Sequence, residues 1–381
     1  MIDREAVSAA ADAAWRGGPV AGPQLASARD RAALLSMHAA LHCLAPTQRF
    51  DAASLARKGG VAARHAPIVD RWLEELAAHD IVRRHEQQWE WNAEPPARQA
   101  VDAAWQTARE LAPRRGEGRA LTDFFARCAE HWRELLTDTI GAQTLLFEDE
   151  AITTEIYQTN AASRYTNAAA AEALAQCLEQ HHGPTAPSAL EIGGGMGGTT
   201  DVVLDRIRHL AADYHFTDVS RWFLERGRDR WAGRCGLTTG FFDINDPAAW
   251  ESPPRRFDVV LAANVFHNAH DPAMLSRRLR SVANDSGHLV MIETHIEHLP
   301  LLMSMRFLMS PPTAKVPFTD ERANNGRIFL PMSQWRQHLQ DNGWTVLDLV
   351  PTDPAETESD QLAHPVARFG QHVLIAAAAK E

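Results

Sequence analysis

The chain has 381 residues, of which 45% are apolar, and its formal net charge is −11 at pH 7. Because a domain usually has about 150 residues, this length predicts about two domains. The apolar fraction excludes a chain that is disordered throughout. The negative charge disfavours nucleic acid and anionic membrane surfaces as partners, so a small or protein-tethered substrate is expected.

The chain carries no sign of a membrane span or a secretion signal. No stretch approaches the ~18 uninterrupted apolar residues that a span needs, and the N-terminus lacks the apolar core of a signal peptide. The four cysteines, Cys43, Cys128, Cys177 and Cys235, lie far apart and form no C-x-x-C pair. We therefore expect no membrane, no disulfide scaffold, no metal module and a cytoplasmic location.

The first part of the chain, residues 1–150, is expected to be mainly helical. Apolar residues recur at three-to-four spacing in "AALLSMHAALHCL" and "APIVDRWLEELAAHDIV", and "IVRRHEQQWEWN" then predicts two short strands around a polar turn. Helix, helix and a two-stranded wing form a winged-helix-like pattern. Such a module either binds DNA, or packs against other parts of the protein, forms a dimer and covers the bound substrate.

The charge of this part favours the second role. Residues 1–150 hold 18 Lys and Arg against 22 Asp and Glu, whereas a DNA-binding wing normally has a basic footprint. We therefore expect a homodimer, with Trp72, Trp89 or Trp91 buried against a partner chain or against the second domain. A cofactor-sensing DNA-binding regulator remains the alternative.

The second part, residues 151–381, predicts a doubly wound α/β sheet. A helix over 155–183 is followed by alternating strands and helices, the signature of a mostly parallel sheet with its ligand crevice at the carboxyl ends of the strands. The expected strands are "SALEI", "YHFTD", "RFDVVLAAN", "GHLVMIE", "WTVLDLV" and "QHVLIAA". No helix separates the last two strands, which indicates an antiparallel pair.

A glycine-rich loop, "LEIGGGMGGTT" at residues 190–200, follows the first of these strands. Gly193, Gly195 and Gly198 fit the G-x-G-x-x-G nucleotide fingerprint, and glycines there let the backbone approach a ligand closely. Glu191 would repel a pyrophosphate but could meet an ammonium group. Asp218, at the end of the next strand, could bind ribose hydroxyls. S-adenosylmethionine, which has no phosphate, fits this pattern better than NAD.

Seven blocks in order resemble the C-methyltransferase domains of modular polyketide synthases: "RYTN", "LEIGGGMGGTT", "YHFTDVS", "FFDINDP", "FDVVLAANVFHNA", "GHLVMIE" and "FGQHVLIA". The resemblance implies a seven-stranded, Rossmann-like class I methyltransferase sheet. It also implies a set of cofactor contacts: Glu191, Gly193 and Gly195 at the methionine end, Asp218 at the ribose, Asp243 and Ile244 at the adenine, and Asn264 and Val265 beneath the cofactor.

The chain departs from that family at three points. Met196 stands where the family usually has Thr, and Asn268 and Ala269 replace the usual Ala-Thr. No ketosynthase, acyltransferase or carrier module is attached, so we expect a free-standing enzyme whose acyl substrate is either a small molecule or tethered to a carrier protein.

The chemistry is expected to rest on His267 and Glu293. His267 follows one strand and Glu293 ends the next, so both side chains can emerge at the same sheet edge. A histidine can take a proton from an acidic carbon or a hydroxyl, and a carboxylate can orient it. The family's catalytic His and Glu fall at these two positions. We expect methylation of a carbon next to a carbonyl, and O-methylation by the same base is the alternative.

Other candidate contacts are less specific. The segment "LPLLMSMRFLM" predicts a substrate lid within an insertion near 296–330, with Met303 and Met309 as the pocket wall. Arg306 could meet a carboxylate or a phosphopantetheine phosphate, and ordinary core packing is the alternative for the segment. Tyr157 is a candidate substrate contact and Tyr165 a candidate cofactor contact, with core packing as the alternative for both. A metal held by His267, His270, Asp271 and His295 is a minor alternative to a metal-free site.

Overall fold

The computed structural model describes residues 2–16, 23–114, 118–251, 255–310, 318–352 and 364–379. The helices are α1 (Arg4–Arg16), α2 (Pro23–Leu44), α3 (Ala52–Lys58), α4 (Ala66–Ala78), α5 (Arg98–Arg114), α6 (Ala120–Glu130), α7 (Trp132–Leu136), α8 (Ala142–Phe147), α9 (Glu150–Thr154), α10 (Ala161–Glu179), α11 (Gly198–Arg206), α12 (Arg221–Arg230), α13 (Ala248–Glu251), α14 (Pro272–Val282), α15 (Leu299–Leu302), α16 (Met305–Leu308), α17 (Arg322–Asn325) and α18 (Met332–Gln340).

The strands are β1 (Arg49–Phe50), β2 (Val82–His85), β3 (Gln88–Trp91), β4 (Ser188–Ile192), β5 (Asp213–Asp218), β6 (Gly236–Phe241), β7 (Phe257–Ala263), β8 (Ala283–Thr294), β9 (Trp344–Val350) and β10 (Gln371–Ala378). A π-helical turn at Glu155–Thr159 precedes α10, and a 3₁₀ turn at Phe266–Asn268 follows β7.

The chain divides into two compact units. The sheet unit comprises the described residues of Met1–Gly18, Tyr157–Ile296 and Phe329–Glu381, and the helical unit those of Pro19–Ile156 and Glu297–Ile328. This division differs from the expected boundary at residue 150. Helix α1 belongs to the sheet unit because Val7 and Ala11 are fully buried in one core with the Ala-rich helix α10.

The helical unit has its own core, built mainly from α2, α4 and α6. The expected hairpin is present as β2 and β3, and β1 extends it to three antiparallel strands. Trp72, Trp89 and Trp91 are all buried in this core, and Trp72 Nε1 donates to Leu302 O at 2.9 Å. The burial of these tryptophans thus occurs inside the unit and carries no argument for a partner chain.

The sheet unit contains the expected seven-stranded sheet, in the order β6-β5-β4-β7-β8-β10-β9. Strands β4 to β8 are parallel, and β10 is antiparallel to both β8 and β9, which confirms the expected final pair. All six strands named from the sequence are present. The pattern missed β6, because "GLTTGF" lies at the sheet edge with partly exposed side chains and has two glycines.

Alternate residues of the central strands enter two separate cores, which makes the sheet doubly wound. On β4, Ala189 packs with α10 and α11, whereas Leu190 packs with α14 and α18. Parallel pairing brings the carboxyl ends of β4, β5, β7 and β8 to one edge of the sheet. The glycine loop, Asp218, Asn264 and Glu293 all lie at that edge. No helix within the described ranges is long and apolar enough to cross a membrane.

Candidate active site

The glycine loop between β4 and α11 is built for close approach of a ligand to the backbone. Gly193, Gly195 and Gly197 have φ angles of 66°, 54° and 78°, a region that favours glycine. A Cβ at Gly194 would lie 2.0 Å from the Phe216 ring, and one at Gly193 would lie 2.6 Å from Val265 Cγ2. Larger residues therefore cannot occupy these positions without displacing the wall of the loop.

Glu191 lies beneath this loop, where it is 1% exposed. Its carboxylate accepts hydrogen bonds from Thr200 Oγ1 at 2.8 and 3.0 Å and from the Tyr214 hydroxyl at 2.8 Å. Burial raises the pKa of Glu191 to about 7. The structure thus shows Glu191 joining β4 to α11 and β5, whereas the sequence suggested a carboxylate directed at an ammonium group.

Asp218 braces the loop from the end of β5. Its Oδ2 accepts the backbone N–H of Gly195 at 2.9 Å, and its Oδ1 accepts that of Ser220 at 2.7 Å. Each carboxylate oxygen has a second lone pair, so these bonds leave acceptor capacity for hydroxyl groups. Burial raises the pKa of Asp218 above its ordinary value. The structure places this residue beside the loop, as expected.

The loops after β6 and β7 carry the remaining expected cofactor contacts. Asp243 caps its own turn by accepting the Asn245 N–H at 2.9 Å, and Ile244 is buried. Asn264 has a positive φ of 54°, and its Oδ1 accepts the Thr294 hydroxyl at 2.8 Å. Asn264 therefore ties the end of β7 to the end of β8, and Val265 packs beneath Gly193.

His267 and Glu293 form a contact pair at this edge. Nδ1 of His267 lies 2.6 Å from Glu293 Oε1, and Glu293 Oε2 accepts the His267 backbone N–H at 3.1 Å. Glu293 is fully buried and His267 is 8% exposed. The ring of Phe329 packs edge-on against the imidazole, with 5.2 Å between ring centroids. The pair thus has fixed geometry, with a small part of His267 exposed.

The contacts that the structure gives for the other expected site residues are with neighbours other than this pair. Tyr165 is buried against His364, with ring centroids 4.7 Å apart, because it faces the core shared by α1 and α10. Tyr157 is half-buried, and its carbonyl accepts from Asn167 Nδ2 at 2.9 Å. The lid segment belongs to the helical unit, where Met303 is core and Arg306 and Met309 line a separate cavity.

Several residues that sequence reasoning did not single out complete this edge. Asn167 also accepts the Thr199 hydroxyl at 2.8 Å, so it clamps the start of α11. Asn245 donates to Asn268 O at 3.0 Å and accepts the His270 N–H at 2.9 Å, which ties the loop after β6 to the loop of His267. The only available signal was their place in the blocks "RYTN" and "FFDINDP".

The described residues contain no group of three or more His, Cys, Asp or Glu side chains that could hold a metal ion. His295 Nε2 lies 2.7 Å from His372 Nδ1, and His372 stands opposite Glu293 in the β8–β10 pairing. These histidines therefore form a hydrogen-bonded pair next to the strand end that carries Glu293.

Residues 190–289 match a family model described as a methyltransferase domain. The chain contains a methyltransferase domain. Such a domain implies S-adenosylmethionine as methyl donor, and the residues present fit that group: a cradle with no room for a Cβ at Gly193 or Gly194, and carboxylates at Asp218 and Asp243. The domain also confirms that the chain is an enzyme.

Two curated relatives illustrate the resemblance. The chain is 27% identical over 328 residues to pyochelin synthetase PchF of Pseudomonas aeruginosa, which covers 83% of this chain and 18% of the relative. It is 30% identical over 253 residues to the highly reducing polyketide synthase resH of Aspergillus sclerotiorum, with 63% and 9% covered. The chain thus spans less than a fifth of either relative.

Solved structures agree on the fold. The CurJ carbon methyltransferase superposes with a TM-score of 0.80 at 23% identity, covering 94% of this chain and 93% of that one. The DszA carbon methyltransferase gives 0.79 at 21% identity, with 93% and 89% covered. In fold, the chain resembles these two carbon methyltransferases.

Proposed function

We propose that the chain is a C-methyltransferase of natural-product metabolism that acts on a carbon next to a carbonyl. The observation that supports this most directly is the 2.6 Å contact between His267 Nδ1 and Glu293 Oε1. An imidazole that donates Nδ1–H to a buried carboxylate has the lone pair of Nε2 for accepting a proton. Glu293 stabilises the imidazolium that results.

In this mechanism the bound cofactor supplies an activated methyl group on a sulfonium, and the chain's own residues align the acceptor and remove its proton. Asp218 and Gly195 hold the loop that receives the cofactor. His267 takes the proton of the carbon as the carbanion character develops, a contribution on the order of 10²–10⁴-fold in rate. Val265 and Phe329 pack around the loop and the imidazole and limit access of water to them.

A β-keto or α-keto acyl group, free or tethered to a carrier protein, is the proposed acceptor. The support is chemical and comparative: a histidine base at the site suits a carbon acidified by a carbonyl, and similar proteins are named polyketide synthases and carbon methyltransferases. Incubation with cofactor carrying a deuterated methyl group, followed by fragmentation mass spectrometry, tests this. A label on carbon supports the proposal, and a label on oxygen supports the O-methyltransferase alternative.

We further propose that the helical unit serves packing and substrate cover and that the protein acts as a homodimer without binding nucleic acid. The excess of Asp and Glu over Lys and Arg in residues 1–150 supports the proposal that the protein does not bind nucleic acid. Light scattering at low micromolar concentration tests the dimer, and a DNA shift assay at low salt tests the regulator alternative. Retarded DNA would contradict the proposed role of the helical unit.

A further inference from the structure

A cavity of about 210 Å³ lies within the helical unit, and His267 and Glu293 are not among the residues that line it. The charged residues that line it are Arg64, Asp70, Arg71, Glu74, Arg306 and Arg322. Binding sites for whole drug-sized ligands occupy about 300–1,000 Å³, so this cavity suits one compact group. Its lining thus carries four guanidinium groups and two carboxylates.

Three of these arginines have carboxylate partners in the surrounding structure. Arg64 is paired with Asp138, and Arg71 lies 3.4 Å from Glu297 Oε2. Arg322 is held by Asp320 through contacts of 2.6 to 3.1 Å. Each of these three charges is therefore neutralised by a carboxylate that does not itself line the cavity.

Arg306 differs from the other three. It is only 7% exposed, yet no carboxylate among the described residues lies within salt-bridge distance of it, and its Nε is buried without a hydrogen-bond partner. Burial lowers the pKa of this guanidinium, and the buried carboxylate of Glu297, which pairs with Arg71, offsets that effect only in part. An unpaired buried charge is costly, and structures keep one only where something compensates it.

The two acidic residues of the lining do not supply that compensation. Glu74 pairs with Arg71 at 3.6 Å, and the cation that acts on Asp70 is Arg84 rather than Arg306. Burial raises the pKa of Asp70 above its ordinary value. The side-chain amides of Asn324 and Asn325, also in the lining, can add N–H donors.

We propose that this cavity is a binding site for a phosphate-type oxyanion, which Arg306 engages with its guanidinium fork. Arginine presents planar, paired N–H donors that match phosphate oxygens, and a tetrahedral anion can accept from several guanidinium groups at once. The proposal does not depend on the proposed methyl transfer. Two sources share this chemistry: free inorganic phosphate, and the phosphate of a phosphopantetheine arm that carries an acyl group.

Calorimetric titration of the full wild-type chain at constant ionic strength tests the site and its source. We expect heat of binding with 4′-phosphopantetheine or inorganic phosphate, and none with pantetheine or acetate. Tighter binding of phosphopantetheine assigns the site to a carrier arm, and equal binding assigns it to free phosphate. Failure of both phosphate compounds to bind, or equal binding of acetate, overturns the proposal.

Substitutions then locate the anion. Arg306→Met should reduce phosphate affinity at least tenfold, and Arg306→Lys should reduce it less because the charge remains. Arg98→Met is the matched control, since the Arg98 side chain is 85% exposed. Wild-type melting temperature should rise with phosphate, and that of Arg306→Met should not. Unchanged affinity in Arg306→Met overturns the assignment, and unchanged binding of the demethylated cofactor, S-adenosylhomocysteine, verifies that each variant is folded.

Discussion

Nδ1 of His267 lies 2.6 Å from Oε1 of Glu293, and Oε2 of the same carboxylate accepts the backbone N–H of His267 at 3.1 Å. One buried carboxylate thus fixes both the ring and the main chain of the histidine. This double contact sets the orientation of the imidazole before any substrate binds, which is the condition for an efficient general base. Two of the predictions below follow from it.

Replacing His267 with alanine should remove most of the turnover. Because the base is lost while the glycine loop is untouched, we expect turnover to fall on the order of 10²–10⁴-fold with unchanged affinity for S-adenosylhomocysteine. Single-turnover kinetics and calorimetry measure the two quantities. Near wild-type turnover with an acceptor that is not already acidic would contradict a role for His267 as base.

Glu293→Gln should lose less turnover than His267→Ala. The amide oxygen can still accept from one N–H of His267, but the positive charge of the imidazolium is no longer stabilised. The comparison is made on the same acceptor at several pH values, because loss of the carboxylate should change the shape of the pH–rate profile. A loss equal to that of His267→Ala with an unchanged profile would indicate that Glu293 only maintains the fold.

The sequence predicted this pair because parallel strands end at one edge, and the residues after β7 and at the end of β8 must meet there. It could not predict the direction of Glu191, because a strand-end side chain can turn toward the ligand or beneath the loop. The partners that decide this, Thr200 and Tyr214, lie nine and 23 residues away. Likewise, the apolar spacing of the lid segment suits both a pocket wall and a core. In the structure Met303 packs in the core of the helical unit.

Asp218→Asn should weaken cofactor binding. The amide keeps one acceptor oxygen, so either Gly195 or Ser220 loses a charge-assisted hydrogen bond, worth roughly 1.5–3 kcal/mol. The proposed contact with a ribose hydroxyl loses a carboxylate acceptor of the same kind, and 1.5–3 kcal/mol there corresponds to about a 10- to 150-fold loss of S-adenosylhomocysteine affinity by calorimetry. Asp285→Asn is the control, since the Asp285 side chain is 88% exposed. Equal affinities in the two variants would remove Asp218 from the cofactor site.

Gly194→Ala should disturb the loop by overpacking. The added Cβ would lie 2.0 Å from the ring of Phe216, which is fully buried and packs against Trp231. Overpacking of this kind costs about 1–3 kcal/mol of stability, and the displaced loop should also bind S-adenosylhomocysteine less well. Gly141→Ala is the control because its nearest neighbour is the flexible end of Gln143.

Combining Gly194→Ala with Phe216→Leu separates steric strain from other causes. The smaller side chain makes room for the new methyl group, so part of the lost cofactor affinity should return although the core is less well filled. Thermal unfolding and calorimetry on the double variant measure both effects. No recovery of affinity would mean that the Gly194–Phe216 approach is not what limits the loop.

Glu191 should make the protein less stable as pH rises from about 4.5 to about 7. Its pKa is raised by burial from the ordinary 4.5 to about 7, so in this window the folded chain holds a proton that the unfolded chain has released. The stabilising contribution is therefore complete below pH 4.5 and lost as pH rises through 7, an effect of about 3 kcal/mol. In Glu191→Gln this dependence disappears, because the amide does not titrate.

Urea unfolding of the wild type, Glu191→Gln and the exposed control Glu225→Gln across this range measures the difference. Parallel curves for the wild type and Glu191→Gln would show that the fold does not raise the pKa of this carboxyl, with the hydroxyl donors of Thr200 and Tyr214 offsetting burial.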